Sequence, residues 1–367
     1  MKKPSFKIND LIRLLIKFYF WIPSRVIPIQ NLIQILFDLI KRGSGTIPTY
    51  ELLNFNAEIN KFDTGLLGKL SIASDVGIVI QGPIRNEFNF TLQMVEYYLR
   101  EFKCTEIVLS TWISEDLKLF REIESQYGNF HVVAQEKPLN QGISNINLQI
   151  ASTFTGLRTL EDLGVKFAIK IRTDQCMFDK FAITKLKHLF DSENLNNNAR
   201  KKIIILSLGT FLFRPYGPSD FFQFGSISDL LAFWDLPFDE RADIDSAFKE
   251  KQFTLRQFAM AEMCEVYLAA HYFRLNGEVL DFSLKSSINM FKSYFIIIDP
   301  SHIGFIWDKY TSRSDRWRQS SFPKPYQEIT NGLWLALQGE SPDFASLDYL
   351  LDTKVEEGEF RQVTVTL

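Results

Sequence analysis

The sequence of 367 residues has little of what marks several common protein classes. It contains three cysteines, Cys104, Cys176 and Cys264, and this small, odd and widely spaced set argues against a disulfide framework or a zinc cluster. None has a histidine partner that the sequence indicates. We therefore expect a reducing compartment, and three cysteines that are small buried side chains rather than nucleophiles.

No apolar run is long enough to cross a bilayer, which takes about 20 residues. The uncharged stretch 26–37 covers 12 residues, and Pro23 and Pro28 interrupt helical continuity around it. No small-residue cleavage site follows, which argues against a signal peptide. The N-terminal segment instead predicts two short amphipathic helices on a membrane surface, the alternative being that they pack on the protein's own core.

Charge is distributed unevenly along the chain. Residues 1–42 contain eight basic and two acidic residues, a net charge of +6. Because the whole chain has a net charge of −3, the remaining residues have a net charge of −9. A basic apolar N-terminus on an acidic body predicts a peripheral protein on the cytoplasmic surface of the plasma membrane. The body has no basic stripe interleaved with aromatic residues, so nucleic acid is not an expected partner.

Two nucleotide-binding fingerprints are also missing. The sequence contains neither G-x-G-x-x-G nor a P-loop G-x-x-x-x-G-K, which argues against NAD and ATP. Short β-branched runs alternate instead with segments of helical periodicity, and the predicted strands are 76–80, 106–110, 131–134 and 167–171. This alternation predicts an α/β fold, a mixed but mainly parallel sheet with helices on both faces.

The second half of the chain is less regular. We expect 203–208 and 210–213 to pair as an irregular insertion, 261–273 to form a helix, and 295–298 to form a late strand. A short strand at 221–224 is expected to lead into a helix at 228–234. The predicted organisation is a membrane-surface segment 1–45, a lead-in 46–74, an α/β domain 75–310 and a C-terminal extension 311–367.

Charged residues at the end of the strand 167–171 carry the strongest indication of chemistry. Alternation places Lys170, Arg172 and Asp174 on one face, with Thr173 between them. A diphosphate needs a positive counter-charge, so Asp174 is predicted to hold Mn²⁺ or Mg²⁺, and Arg172 or Lys170 to supplement or replace the cation. The alternative is an internal salt bridge.

Polar residues also follow the neighbouring strands. Because parallel strands present ligands at their carboxyl ends, these residues are predicted to bind substrate: Gln81, Gly82, Pro83, Arg85, Thr111, Trp112, Asn145 and Gln149. Each set has a plainer interpretation. Arg85 suits a solvated turn, and Asn145 or Ser144 suits a helix N-cap.

A sugar transferase that inverts the anomeric centre needs a carboxylate as base toward the acceptor hydroxyl. Glu262 and Asp220 are the candidates in that order, and Glu262 is expected, with Glu265, at the start of the helix 261–273. His302, after the last strand, is a candidate metal ligand or diphosphate contact. A helix charge, a turn cap and an ordinary surface histidine are the respective alternatives.

Several segments in this order resemble the WavE lipopolysaccharide-synthesis family of bacteria. They are Ile78–Ile84, Leu109–Trp112, Asn145–Thr153 with Gly156–Leu157, Lys170–Asp174 and Ser219–Gly225. The resemblance covers roughly residues 75 to 310 and implies a GT-A-like sugar-nucleotide domain that builds cell-surface polysaccharide. Arg172-Thr173-Asp174 stands where GT-A transferases carry Asp-x-Asp, and Arg172 replaces the first acid.

The residues and the resemblance together favour a glycosyltransferase. It would move a sugar from a nucleotide-sugar donor to a lipid-linked or lipopolysaccharide-core acceptor. A catalytically silent GT-A-like scaffold in a polysaccharide-assembly complex is the alternative, motivated by the missing acid. A sugar nucleotidyltransferase ranks last, because only Gly82 and Arg85 stand in for its glycine-rich, basic loop.

Overall fold

A computed structural model describes residues 75–103, 105–194, 202–241, 253–263, 265–307, 327–339 and 343–352. The predicted segments 1–45 and 46–74, Cys104, Cys264 and most of the predicted C-terminal extension lie outside these residues. Among the residues it describes, no helix is both long and apolar enough to cross a membrane.

Alternating strands and helices build the first half of the described chain. Its elements are β1 (Val76–Gln81), α1 (Phe90–Glu101), β2 (Glu106–Trp112), α2 (Lys118–Gln126), β3 (Phe130–Gln135), α3 (Ile146–Asp162), β4 (Phe167–Arg172), β5 (Gln175–Met177) and α4 (Ala182–Asn194). The four strands predicted from the sequence are all present, and each extends one or two residues further than predicted.

The second half adds strands to the same sheet. Its elements are β6 (Ile203–Leu206), β7 (Gln223–Ser226), α5 (Ile227–Trp234), α6 (Leu255–Met260), α7 (Glu265–Leu275), α8 (Leu284–Tyr294), β8 (Phe295–Ile298), β9 (Phe305–Trp307) and α9 (Asn331–Gln338), followed by a 3₁₀ segment at Phe344–Asp352.

A seven-stranded sheet in the order β3-β2-β1-β4-β7-β6-β8 forms the centre of the molecule. Strands β1 to β4 pair in parallel, β7 runs antiparallel between β4 and β6, and β6 pairs in parallel with β8. β5 and β9 form a separate two-stranded sheet. This mainly parallel, mixed sheet confirms the α/β fold class.

Both faces of the sheet are covered. Val79 lies on one face in the same apolar cluster as Leu157 of α3 and Leu230 of α5. On the other face Phe190 of α4 packs against Phe224 of β7, with ring centroids 5.7 Å apart. All six residues of β1 are buried, which is why its sequence is continuously apolar up to Gln81.

Two predictions for the second half were wrong. Residues 203–208 and 210–213 do not pair as an insertion: Ile203–Leu206 is an inner strand of the central sheet, and no strand forms at 210–213. Four consecutive residues, Ile203 to Leu206, are buried, as an inner strand requires. The helix predicted at 261–273 begins later than expected: α6 ends at Met260, the chain turns at Glu262 with φ of 49°, and α7 begins at Glu265.

The close packing of α3 on the sheet depends on Gly156. A Cβ built at this residue would lie 2.5 Å from Cγ1 of Val79 and 3.1 Å from Cβ of Ser110. Both neighbours belong to inner strands and cannot move independently of the sheet, so only glycine fits between helix and sheet at this point.

We expect Gly156→Ala to lower the free energy of unfolding by about 1–3 kcal/mol, because overpacking outweighs the gain in helix propensity. Gly332→Ala in α9 is the matched control, since no atom lies within 4 Å of its Cβ position and the change should be neutral or stabilising. Urea unfolding of both variants measures the difference. Equal stability of the two variants would contradict this account of the packing.

Candidate functional site

The carboxyl ends of β1 and β4 are adjacent, and the chain leaves them in opposite directions along the sheet, from β1 toward β2 and from β4 toward β6. Open α/β sheets bind ligands at such a point. Thr173 N–H donates to the Gln81 carbonyl at 3.0 Å, and its Oγ1 donates to the Pro83 carbonyl at 2.5 Å. Thr91 Oγ1 donates to the Thr173 carbonyl at 2.9 Å. The loops after both strands are therefore one connected unit.

Gly82 and Gln81 have structural reasons to occupy the end of β1. Gly82 has φ of +117°, a conformation that disfavours side chains, and its N–H donates to the Ser110 carbonyl of β2. The Gln81 side chain is buried and accepts a hydrogen bond from Ser152 Oγ of α3 at 2.8 Å. Pro83 is exposed at the edge of the sheet.

Arg172 and Asp174 form an ion pair beside an aromatic wall. Arg172 Nε lies 3.2 Å from Asp174 Oδ1, and Trp307 Nε1 donates to Asp174 Oδ2 at 3.1 Å. The Arg172 guanidinium lies over the Trp307 ring at 5.8 Å, and that ring packs on Phe221 at 4.3 Å between centroids. The salt bridge that the sequence left as an alternative is thus formed, and strand β9 supplies its third member.

The residues around Asp174 do not fit a resident divalent cation. Both of its carboxylate oxygens accept hydrogen bonds from protein donors, one of them cationic. His302 is exposed on the 3₁₀ turn Pro300–His302, with its Nδ1 3.1 Å from the Asp299 carbonyl oxygen. Among the described residues no group of three or more His, Cys, Asp or Glu is placed to hold a metal. The cation predicted on Asp174 and His302 stays a prediction, and no step proposed below depends on it.

Lys170 is entirely buried within the sheet. Its Nζ donates to the Asp220 carbonyl and lies 4.9 Å from the centre of the Trp234 ring of α5. Burial lowers the pKa of Lys170 to about 8, against which nearby Asp220 acts as the main favourable charge. The face of β4 that packs on α5 therefore contains a cation with no contact to solvent.

The Asp220 carboxylate is buried without a hydrogen-bond partner among the described residues, and is called bare below in that sense. Asp220 is 2% exposed. The cost of burying an unpaired charge is several kcal/mol, so a buried carboxylate without partners is characteristic of a functional group. Of the two acids predicted as base, Asp220 is the one that lies next to Lys170 and the end of β4.

Glu262 belongs to a different set of contacts. Its carboxylate accepts a hydrogen bond from Arg274, and its carbonyl accepts one from Arg241 at 3.1 Å. Glu265, three positions after Glu262, forms an ion pair with Arg214, and burial raises the pKa of Glu265. The negative charge of Asp220 also raises the pKa of Glu265. Glu265, rather than Glu262, therefore interacts electrostatically with Asp220, the other acid predicted as base.

The remaining predicted substrate residues are spread along the same edge of the sheet. Thr111 and Trp112 are buried at the end of β2, and Thr111 Oγ1 has no hydrogen-bond partner among the described residues. Arg85 forms an ion pair with Glu87.

The other two predicted substrate residues lie at the start of α3. Asn145 is the N-cap residue of this helix, but it has φ of 63° and its side chain makes no capping hydrogen bond, so the capping alternative does not hold for Asn145. Gln149, one turn further, has a buried Oε1 that is likewise unpartnered in the described part of the chain.

Three contributors to the site could not be identified from the sequence. Trp307 ends a three-residue strand that has no strong pattern, Arg214 lies in an irregular loop, and Ser152 has the pattern of an ordinary helix residue. Each acts through a contact between segments far apart in sequence. Glu265 did carry a signal, since it is the second acid in the segment where Glu262 was chosen.

The buried ammonium of Lys170 should make stability depend on pH. The pKa of Lys170 is lowered to about 8 from its ordinary value of 10.5, so the unfolded chain binds more protons than the folded chain between these values. Relative to Lys170→Met, the wild-type free energy of unfolding should therefore increase by about 1 kcal/mol per pH unit from pH 8 to 10. Denaturant unfolding across this range measures the difference, and a flat difference would contradict it.

The chain has distant similarities among solved structures. No curated protein sequence matches the chain. Among solved structures, a cytidylyltransferase from Leptospira borgpetersenii serovar Hardjo-bovis is 11% identical, with a TM-score of 0.33, covering 77% of this chain and 98% of its own. S. aureus TarS 1-349 in complex with UDP-GlcNAc is also 11% identical, with a TM-score of 0.30, and the similarity covers 67% of this chain and 90% of that chain. These likenesses are too distant to bear on function.

The sequence itself gives the decisive comparison. The profile of the WavE lipopolysaccharide synthesis family matches residues 76–337, which begin at β1 and end within α9. The match includes the whole central sheet, the Arg172–Asp174–Trp307 group and the buried Asp220. The chain belongs to the WavE lipopolysaccharide synthesis family.

Proposed function

We propose that the chain is a glycosyltransferase of the GT-A-like type that adds a sugar from a nucleotide-sugar donor during lipopolysaccharide synthesis. One observation carries the proposal: a bare, buried carboxylate, Asp220, lies next to the β1–β4 edge of a parallel sheet. A sheet edge of this kind suits a nucleotide, and a carboxylate without protein partners suits a base.

The donor diphosphate belongs, in this proposal, at the loops that follow β1 and β4. Arg172 supplies positive charge there, and about a quarter of its side chain is exposed. Asp174 and Trp307 fix the direction of the guanidinium by hydrogen bond and ring contact. An arginine oriented in this way can donate to phosphate oxygens and stabilise the charge that develops as the diphosphate leaves.

Asp220 is the proposed base. It accepts the proton of the acceptor hydroxyl while that oxygen forms a bond to the anomeric carbon and the bond from that carbon to the diphosphate breaks. A single carboxylate that acts on the acceptor suits inversion of the anomeric centre. The proposed acceptor is a lipid-linked sugar or the lipopolysaccharide core.

The donor proposal is tested by calorimetry of the full chain with UDP-, GDP-, CMP- and TDP-sugars, with and without Mn²⁺. One nucleotide sugar is expected to bind, and Arg172→Gln should weaken it about 10- to 100-fold through loss of a charge-assisted hydrogen bond. Arg158→Gln is the matched control, since Arg158 is exposed on α3 and forms an ion pair with Glu161 of the same helix. Absence of binding by any sugar nucleotide to the folded wild-type chain would overturn the proposal.

One observation favours a second function. Both oxygens of Asp174 are already engaged by Arg172 and Trp307, which is what a fold retained without catalysis would also show. In a silent scaffold of a polysaccharide-assembly complex, Asp174→Ala and Asp220→Asn would leave the cellular lipopolysaccharide unchanged. In the glycosyltransferase, Asp220→Asn should abolish the product of this step on a lipopolysaccharide gel.

We further propose that the basic segment 1–45 holds the protein at the cytoplasmic membrane surface, close to a lipid-linked acceptor. Changing Lys2, Lys3 and Lys7 to Gln should weaken flotation with phosphatidylglycerol vesicles about 100-fold, at about 1 kcal/mol for each basic residue. The control replaces three exposed lysines of the body, Lys118, Lys166 and Lys285. Equal loss in the two triple variants would show that the N-terminus has no special role.

A further inference from the structure

The loop from Arg214 to Asp220 is fixed by side chains of Glu265, Ser287 and Thr210, and also by Lys170. Arg214 pairs with Glu265 of α7, and Tyr216 N–H donates to Ser287 Oγ of α8 at 3.0 Å. Ser219 N–H donates to Thr210 Oγ1, also at 3.0 Å. The backbone of the loop is thus fixed along its length, although its last side chain, Asp220, is bare.

Lys170 fixes the end of this loop. Its Nζ donates to the backbone carbonyl of Asp220, the residue that carries the bare carboxylate. The same ammonium lies over the Trp234 ring, and Trp234 Nε1 donates to Gln223 Oε1 of β7 at 2.6 Å. Lys170 is therefore built into a frame of β4, α5 and β7, and the loop end is attached to that frame.

The burial of Lys170 is inconsistent with a direct donor contact. Lys170 is 0% exposed, whereas Arg172, two residues further along β4, has an exposed fraction of side chain. A diphosphate bound beyond the strand ends could contact Arg172 without entering the sheet. The sequence predicted Lys170 and Arg172 for the same task, and the structure separates them by depth.

We propose that Lys170 is a positioning residue, which holds the end of the Asp220 loop through the Asp220 backbone carbonyl, and that it makes no contact with the donor. The inference rests on the proposed function of Asp220 as base. Because the ammonium donates to the backbone carbonyl of Asp220, it fixes this residue without occupying its carboxylate oxygens, which remain available to the acceptor hydroxyl. A lysine suits this task because its charge is compact and its stem is apolar.

The test separates binding from turnover. Wild type, Lys170→Met and Asp220→Asn are compared by calorimetry with the best nucleotide sugar of the panel, and by release of its nucleotide in the presence of membranes from cells whose gene for this chain is deleted. Lys170→Met should bind the donor within threefold of wild type and turn over at least 100-fold more slowly. The double variant should be no slower than the slower single variant, because the two residues act as one unit.

Controls and a second variant keep the result interpretable. Lys185→Met removes a lysine that pairs with Asp179 on the surface, and it should leave both readouts unchanged. Lys170→Arg keeps a donor and a charge, so it should bind the donor as wild type does and turn over at least tenfold faster than Asp220→Asn. Loss of donor binding in folded Lys170→Met or Lys170→Arg would make Lys170 a donor contact and overturn the inference, as would full turnover in Lys170→Met.

Failure of the proposed function gives a different result. A wild-type chain that binds no nucleotide sugar would contradict the donor chemistry, and the cellular lipopolysaccharide then becomes the readout for Lys170. If Lys170 acts only through Asp220, Lys170→Met and Asp220→Asn must change the lipopolysaccharide pattern equally. A change in one variant without the other would overturn the inference even in that case.

Discussion

The burial of one positive charge in the middle of the sheet is the constraint on which the rest of this site depends. Lys170 occupies an inner strand between apolar neighbours, where an ammonium loses its hydration. The structure compensates with the Asp220 carbonyl, the Trp234 ring and the nearby Asp220 carboxylate. These contacts connect the end of the Asp220 loop and Trp234 of α5 to β4, and Trp234 in turn donates a hydrogen bond to Gln223, the first residue of β7.

The two cations of β4 lie at different depths in the sheet, and we propose that they have different roles. At the surface, Arg172 is oriented by Asp174 and Trp307 and offers charge to a ligand outside the sheet. Below it, the Lys170 ammonium contacts the Asp220 carbonyl and the Trp234 ring. Because alternate residues of a strand share a face but stand about 7 Å apart along it, neighbouring cations on β4 can serve different partners. The site therefore does not need to draw on a single cation for both binding and proton transfer.

The sequence was sufficient for the parts of the fold in which local pattern and burial agree. Strands β1 to β4 are apolar runs separated by helices of clear periodicity, so the parallel half and its polar strand ends could be predicted. The position of β6 in the sheet could not be predicted, because an apolar run in a loop-rich region can pair with a near or with a distant segment. In the structure it pairs with β7 and β8, and this pairing depends on contacts that the local sequence does not show. The break at Glu262 was missed for a similar reason: its helical periodicity continues, while Arg241 and Arg274 hold the turn from elsewhere in the chain. Trp307 and Arg214 act through long-range contacts, which a single sequence does not contain.

The replacement of the first acid of an Asp-x-Asp pattern by Arg172 changes what this strand end can bind. Two carboxylates at such a position would attract a divalent cation, whereas an arginine beside one carboxylate cancels the charge that a cation needs. The ion pair can still bind a ligand, because its contacts with Asp174 and Trp307 fix the orientation of the planar Arg172 guanidinium. An oriented guanidinium can donate hydrogen bonds to phosphate oxygens. The ion pair of Arg172 and Asp174 is compatible with a scaffold as well as with a transferase. The buried Asp220 carboxylate distinguishes the two proposals, because it has no hydrogen-bond partner among the described residues and its burial costs free energy from which a scaffold gains nothing. Asp220 is therefore the reason for proposing a transferase.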